Sequence, residues 1–301
     1  VTRRSSRSRR LGTVVALTAG AVLGGTVGAA SSSALLVDRT SSTAGYSTRL
    51  ACSGGTGYPA AVQAAHPSFA WRFDEAAAPP PATVADTSGN GDGGAVTGTG
   101  LVFGGPGLIT CDTGAAVAMP GGTDGAVSET VPQPTSDTFT VIAWVRSAST
   151  GGGRVVGMGS DPSGPSTQND RALLLAPDGR AVLFLQPLAG PVALVSPTPV
   201  NDGQPHMLAA TVSSAGAALY VDGTLVASDP TVTSAEHYSG SGPTLPGFGF
   251  WRVGYDDVSA VPAAVQPTQA QLMGSVDEVA VWNSTALDAA TVAGMFGRNH
   301  W

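Results

Sequence analysis

Oxygen-bearing side chains recur at every second position of Asp86, Ser88, Asn90 and Asp92, with Gly91 between the last two. Alternating oxygens around a glycine make the first half of a calcium loop: they wrap a hard cation while the glycine permits the sharp turn. Thr97 stands where the bidentate acid of such a loop belongs, so a closed site needs a remote carboxylate. The same residues also make an ordinary Asp/Ser/Asn/Gly turn, and both readings stand. Acid–base chemistry is poorly served. Cleaving a glycosidic bond takes two carboxyl groups about 5–5.5 Å apart, a spacing that alternate residues of a strand supply. The glutamates are Glu75, Glu129, Glu236 and Glu278, and none is followed two residues later by aspartate. The pairs Asp74-Glu75 and Asp277-Glu278 are adjacent, which sends their side chains to opposite faces of a strand. His66, His206, His237 and His300 show no metal-ligand spacing, and no G-x-S-x-G elbow is present. No catalytic residue is assigned. For binding, the Gly/Ser/Pro stretch 238–251 ends on Phe248-Gly-Phe250-Trp251. Tyr238, Phe248, Phe250 and Trp251 are therefore the candidate ligand-binding aromatics. The competing reading places Phe250 and Trp251 in a buried strand, with Phe248 plugging one end of the domain.

These residues must be positioned by strands. Phe69, Trp71 and Phe73 alternate with Ala70 and Arg72, a period of two. Residues 139–146 are apolar on both faces, which predicts a central strand. Residues 171–176 and 181–185 flank Pro177-Asp178-Gly179-Arg180, a hairpin turn in which proline presets φ and glycine takes the positive value. Segments 206–213, 217–221 and 225–227 follow, the last two joined by Asp222-Gly223, a strong two-residue hairpin signal. Strands are also expected over 251–255 and 274–282. The one helix candidate is 288–296, at the end. Ten or more short strands without interleaved helices predict an all-β, two-sheet antiparallel sandwich.

Composition agrees. Glycine and proline number 41 and 22, and all 14 basic residues are arginine. Five arginines crowd the first ten positions, leaving nine against 21 acids in the remainder. A body this acidic excludes nucleic acid and anionic membrane surfaces as partners. The basic head and the uncharged Ala/Gly/Val/Leu run 11–30 read as an export signal or membrane anchor over 1–34, and either places the body outside the cytoplasm. Residues 35–57 are a Ser/Ala/Gly-rich linker or docking segment, and 58–301 form the globular domain. In an exported chain Cys52 and Cys111, the only cysteines, are expected to pair. That bridge would stabilise by ~4 kcal/mol on the chain-entropy model.

Five segments in order carry a resemblance: Tyr58-Pro-Ala-Ala-Val62 with Pro67-Ser-Phe-Ala-Trp-Arg-Phe-Asp-Glu75; the loop 86–93; Thr138-Phe-Thr-Val-Ile-Ala-Trp-Val-Arg146; residues 200–209 with the Leu219-Tyr-Val-Asp-Gly223 hairpin; and Gly274-Ser-Val-Asp-Glu-Val-Ala-Val-Trp282. Together they resemble the bacterial laminin-G-like jelly roll of the concanavalin A-like lectin/glucanase superfamily, over residues 58–297. Pro205 stands where that family usually has tryptophan before the histidine. The resemblance implies a jelly roll whose first and last strands lie side by side. It thereby names Asp277 as the remote ligand of a structural Ca²⁺, with Asp74 and Glu278 as alternatives. It also implies an exported, non-catalytic recognition or adhesion module on the cell surface, with glycan as ligand. The alternatives are a structural surface protein docking with another exported chain, and a degenerate glycoside hydrolase.

Overall fold

A computed structural model describes residues 57–298 except 79, 111, 123 and 236–246. In chain order the elements are α1 (Tyr58–Ala64), β1 (Phe69–Trp71), β2 (Thr83–Val84), β3 (Gly94–Thr97), β4 (Val102–Pro106), β5 (Ala115–Pro120), β6 (Ala126–Glu129), β7 (Gln133–Pro134) and β8 (Phe139–Arg146). There follow β9 (Gly153–Gly159), β10 (Asn169–Leu175), β11 (Arg180–Leu185), β12 (Val192–Pro199), β13 (Pro205–Ser213), β14 (Gly216–Val221), β15 (Thr224–Asp229), β16 (Phe248–Gly254), β17 (Met273–Trp282) and α2 (Ala289–Phe296).

The strands form two antiparallel sheets. One runs β15-β14-β13-β8-β17-β5-β4, with β1 also on β17; the other runs β12-β11-β10-β9-β16-β6-β3-β2, with β7 also on β16. The central strand predicted over 139–146 is β8, flanked by β13 and β17. Its alternation divides it between two layers. Phe139, Val141, Ala143 and Val145 enter the core between the sheets, while Ile142 and Trp144 face outward into a second apolar layer. First and last strands are neighbours, with Phe69 opposite Val281. The Asp222-Gly223 hairpin has φ of 51° and 73° at its two central residues, the left-handed pair that a two-residue turn between twisted strands requires. Gly223 has a tertiary reason as well: a Cβ there would lie 2.9 Å from the Phe296 Cβ of α2.

Both outer faces are covered. On the first sheet α2 begins at Asp288, whose carboxylate accepts the Thr291 N–H at 2.7 Å, a side-chain cap for an otherwise orphaned donor. It buries Val292 and Met295 against the outer layer. The second helix, α1, is not among the sequence expectations, which name one helix, over 288–296. It has Pro59 in its first turn and buries only Tyr58 and Val62, too few residues to show a helical period. The Tyr58 ring meets Trp144 edge-on at 5.8 Å and Phe296 stacks on Trp144 at 5.8 Å, so both helices close over one indole. On the second sheet Ala172, Leu174, Val182 and Phe184 pack against Val261 and Val265 of the long β16–β17 connection.

Candidate functional site

The last strand changes neighbours halfway along one edge. Its first half pairs with β5 through Met273–Val276 and its second half with β1 through Val279–Val281. Its pairing with β8 slips between Asp277 and Ala280, and Glu278 has φ of 48°. This bulge corrects the expectation that Asp277 and Glu278 point to opposite faces. An extra left-handed residue breaks the alternation, and both carboxyl groups enter one cluster at the gap between β1 and β5. Asp277 Oδ2 accepts the Leu108 N–H at 2.8 Å. Glu278 Oε1 accepts Arg72 Nε at 2.7 Å. The same guanidinium binds Asp112 and lies 3.3 Å from Asp74. Asp74 in turn accepts the Ala115 N–H, whereas Glu75 turns away to the Ala85 N–H.

Three carboxyl groups, Asp74, Asp112 and Glu278, thus share Arg72, and Asp277 adds a fourth acid that accepts the Leu108 N–H instead. Burial pushes Asp277 up to about 7, and the charges of Asp74 and Asp112 add to the rise. Burial also raises Glu278, to about 8, with Arg72 opposing. The same carboxylates hold the Arg72 guanidinium charged. The two raised acids are 3% and 5% exposed.

The loop expected to hold calcium is organised differently. Asp86 Oδ1 accepts the N–H groups of Ala70 and Ser88. Asp86 Oδ2 accepts Ser88 Oγ and the N–H groups of Gly91 and Asp92. Every one of these partners is a donor, and together they hold the Asp86 carboxyl below its ordinary value despite partial burial. Asn90 gives its amide nitrogen to the carbonyls of Pro67 and Ser68. A donor shell of this kind does not fit a cation. Nor does the fold bring Asp277 to the loop. Trp71 bridges to Asp86 on one side and pairs with Val279 on the other, so β1 stands between them. Among the described residues no group of three or more His, Cys, Asp or Glu is placed to hold a metal ion.

The aromatic candidates are corrected in part. Trp251 is 0% exposed, lies in the core between the sheets, and donates its indole N–H to Asn283 Oδ1 at 2.7 Å. Phe250 is buried beside it in β16. Neither presents a face to a ligand, because this part of β16 is covered on both sides. Phe248 is half-buried where β16 pairs with Pro134 of β7. Tyr238, Cys52 and Cys111 lie outside the described residues. His206, near the start of β13, bonds Asp222 at 2.7 Å and Asp202 at 3.1 Å. These bonds raise its pKa and tie the start of β13 to the Asp222-Gly223 turn.

Among the described residues two concavities open at the surface, and sequence patterning marked neither. One, of about 390 Å³, lies on the outer face of β13, β14 and β15 beside the start of α2; its polar lining comes from Thr211, Ser213, Tyr220, Ser228 and Asp288. The other, of about 500 Å³, is lined by Asp137, Pro187, Leu188, Ala189, Ser234 and Ala235. Each gathers residues from separate segments, so only the pairing of strands assembles it.

No curated protein matches the sequence. Among solved structures, domain 4 of AbnA, a GH43 extracellular arabinanase from Geobacillus stearothermophilus solved with arabinotriose, superposes with a TM-score of 0.52 at 18% identity, over 76% of this chain and 97% of that one. A sialidase from Trypanosoma rangeli gives 0.49 at 15% identity, over 77% of this chain but only 33% of the sialidase. At such identities the likeness is one of fold. The profile of the concanavalin A-like lectin/glucanase superfamily matches residues 120–293. That match runs from the end of β5 into α2, more than half of the chain, and the chain belongs to this superfamily, in its laminin-G-like branch.

Proposed function

We propose that the protein is an exported, non-catalytic recognition module that binds glycan at the groove on the outer face of β13–β15. The observation that carries this reading is the lining of that groove. Hydroxyls of Thr211, Ser213 and Ser228, the Tyr220 side chain and the Asp288 carboxylate alternate with Ala217, Ala218 and Leu287. A sugar presents the matching surface, with hydroxyls at its rim and C–H groups on its faces, and such sites combine a few placed polar groups with apolar wall. The arabinotriose bound to the arabinanase domain supports the same ligand class on the same fold. The basic head and apolar run 1–34 support export.

The hydrolase alternative finds little support in the carboxyl cluster. Asp277 and Glu278 are buried and hydrogen-bonded to Leu108 and Arg72, which leaves no space between them for a glycosidic bond. The docking alternative wants a broad apolar face. Among the described residues the exposed large apolar side chains are Val102, Val131, Leu188, Leu225 and Met273, each on a different element or loop.

A glycan-array screen of the whole chain tests the proposal, followed by titration of the best oligosaccharide. Ser228→Trp, at an exposed groove position, is expected to weaken binding at least tenfold, while Leu188→Arg in the other concavity leaves it unchanged. Binding lost only in Leu188→Arg would move the site. No glycan bound at millimolar concentration would end the reading.

A further inference from the structure

The outer face of the nine-stranded sheet buries two arginines side by side. Arg252 lies on β16 opposite Gly157 of β9, and Arg154 is the second residue of the same strand β9. The inward neighbours Trp251, Val253 and Val155 belong to the core, so both arginines face outward, and the irregular pairing of β9 with β10 at this point lets Val156 face the core as well. The outward position between them is glycine for a steric reason: a Cβ on Gly157 would lie 2.9 Å from Arg154 Nη2 and 2.7 Å from the Ala172 Cβ. Arg154 and Arg252 are 1% and 0% exposed.

One carboxylate serves both cations. Asp256 Oδ2 lies 3.5 Å from Arg154 Nη1 and 3.2 Å from Arg252 Nη1. It also accepts Ser166 Oγ, and Oδ1 accepts the N–H groups of Ser166 and Asp257. Arg252 Nη1 further donates to the carbonyls of Gly164 and Asp161 and to Ser166 Oγ, and Arg154 Nη1 to Asn169 Oδ1. The Asp161 carboxylate, at the rim, is engaged by Ser160 Oγ and the Thr167 N–H. What remains is unusual for a buried guanidinium: Nε and Nη2 of Arg154, and Nε and Nη2 of Arg252, have no acceptor.

A buried charge is tolerated only when paired, and each buried donor without an acceptor carries its uncompensated desolvation penalty. Here two cations and four donor nitrogens have one carboxylate within contact distance, already shared among five donors. Burial and the neighbouring Arg154 push the Arg252 pKa down, opposed by Asp256 and, more weakly, by Tyr255 and the Asp161 carboxylate at the rim. We propose that a chloride-sized monovalent anion is built into this pocket, held between Arg154 and Arg252 by their free Nε and Nη2 groups. A halide suits the place because it accepts from several directions at once, adds negative charge beside two cations that share one contacting carboxylate, and is small enough to be enclosed during folding. Water would satisfy the donors but add no counter-charge.

The full chain crystallised from bromide in place of chloride tests this. An anomalous peak within contact distance of both guanidinium groups is the expected result, and ordinary water density without anomalous signal would overturn the proposal. In solution, replacing methanesulfonate by chloride at constant ionic strength is expected to raise Tm by about 5–11 °C at a hundredfold excess over Kd. Arg252→Met, which keeps the stem and removes the charge, is expected to abolish that increment. Equal melting of the unmodified chain in both salts, or an undiminished increment in R252M, would also overturn it. If R252M fails to fold, the bromide peak and the unmodified chain decide the matter.

Discussion

The two outer faces of this sandwich bury charge of opposite sign. On the eight-stranded sheet, Asp277 and Glu278 sit at a strand-edge gap with Asp74, Asp112 and a single Arg72. On the nine-stranded sheet, Arg154 and Arg252 share a single Asp256. The faces relieve the imbalance by different routes, because carboxyl groups and guanidinium groups differ in what they can give up. A carboxyl can take a proton near neutrality, and Asp277, raised to about 7, does so. A guanidinium does not lose its proton at any working pH. The arginine face therefore depends on a counter-charge, while the acidic face depends on pH.

The largest effect is expected from removing the one anion of the arginine face. Asp256→Ala leaves two buried cations without their carboxylate, and loss of one partner of a buried pair costs about 3–5 kcal/mol. At about 2–4 °C per kcal/mol for a domain of this size, Tm should fall by roughly 6–20 °C. A fall of under 2 °C in calorimetry would mean that Asp256 is not the hub of that face.

The acidic face predicts a smaller effect of opposite sense. The folded-state pKa of Asp277 lies above its ordinary value of 3.8, so the folded protein holds this proton more tightly than the unfolded chain does. Its contribution to stability is complete below about pH 4 and lost as pH rises through about 7. Asp277→Asn keeps an acceptor for the Leu108 N–H and needs no proton. It should stabilise by about 1–3 kcal/mol at pH 8 relative to the unmodified chain, with the difference shrinking towards pH 4. Urea unfolding at both pH values measures it; a difference independent of pH would show that Asp277 does not titrate with folding. His206 works in the same direction, since its pKa is also raised, and it cancels when the two proteins are compared.

The smallest expected effect is none. The Asp86 carboxylate is surrounded by donors, so the melting temperature should be the same in calcium and in chelator. A calcium-dependent rise that Asp86→Ala removes would show that the loop rearranges around a cation, and would add a third charge-compensating device to the two faces.

Local chemistry in the sequence determined a good part of this molecule. The period of two in 139–146 marked the central strand, because apolar residues on both faces suit only a strand covered on both sides. Asp222-Gly223 marked its hairpin, because few residue pairs tolerate two consecutive left-handed conformations. Asp288 marked the start of α2 through a hydrogen bond only three residues long. Tertiary structure decided the rest. Glu278 swings to the side of Asp277 because β17 changes partners from β5 to β1 at that point, and the residues that receive the two acids, Arg72 and Leu108, are 206 and 169 positions away. Arg154, Arg252 and Asp256 look like ordinary surface charges in the sequence, and the groove and its neighbouring concavity draw on segments that share no motif. Periodicity and turn chemistry report which conformation a segment prefers and which face it hides. They carry no information about which distant segment will stand opposite, and a buried charge takes its meaning from that partner alone.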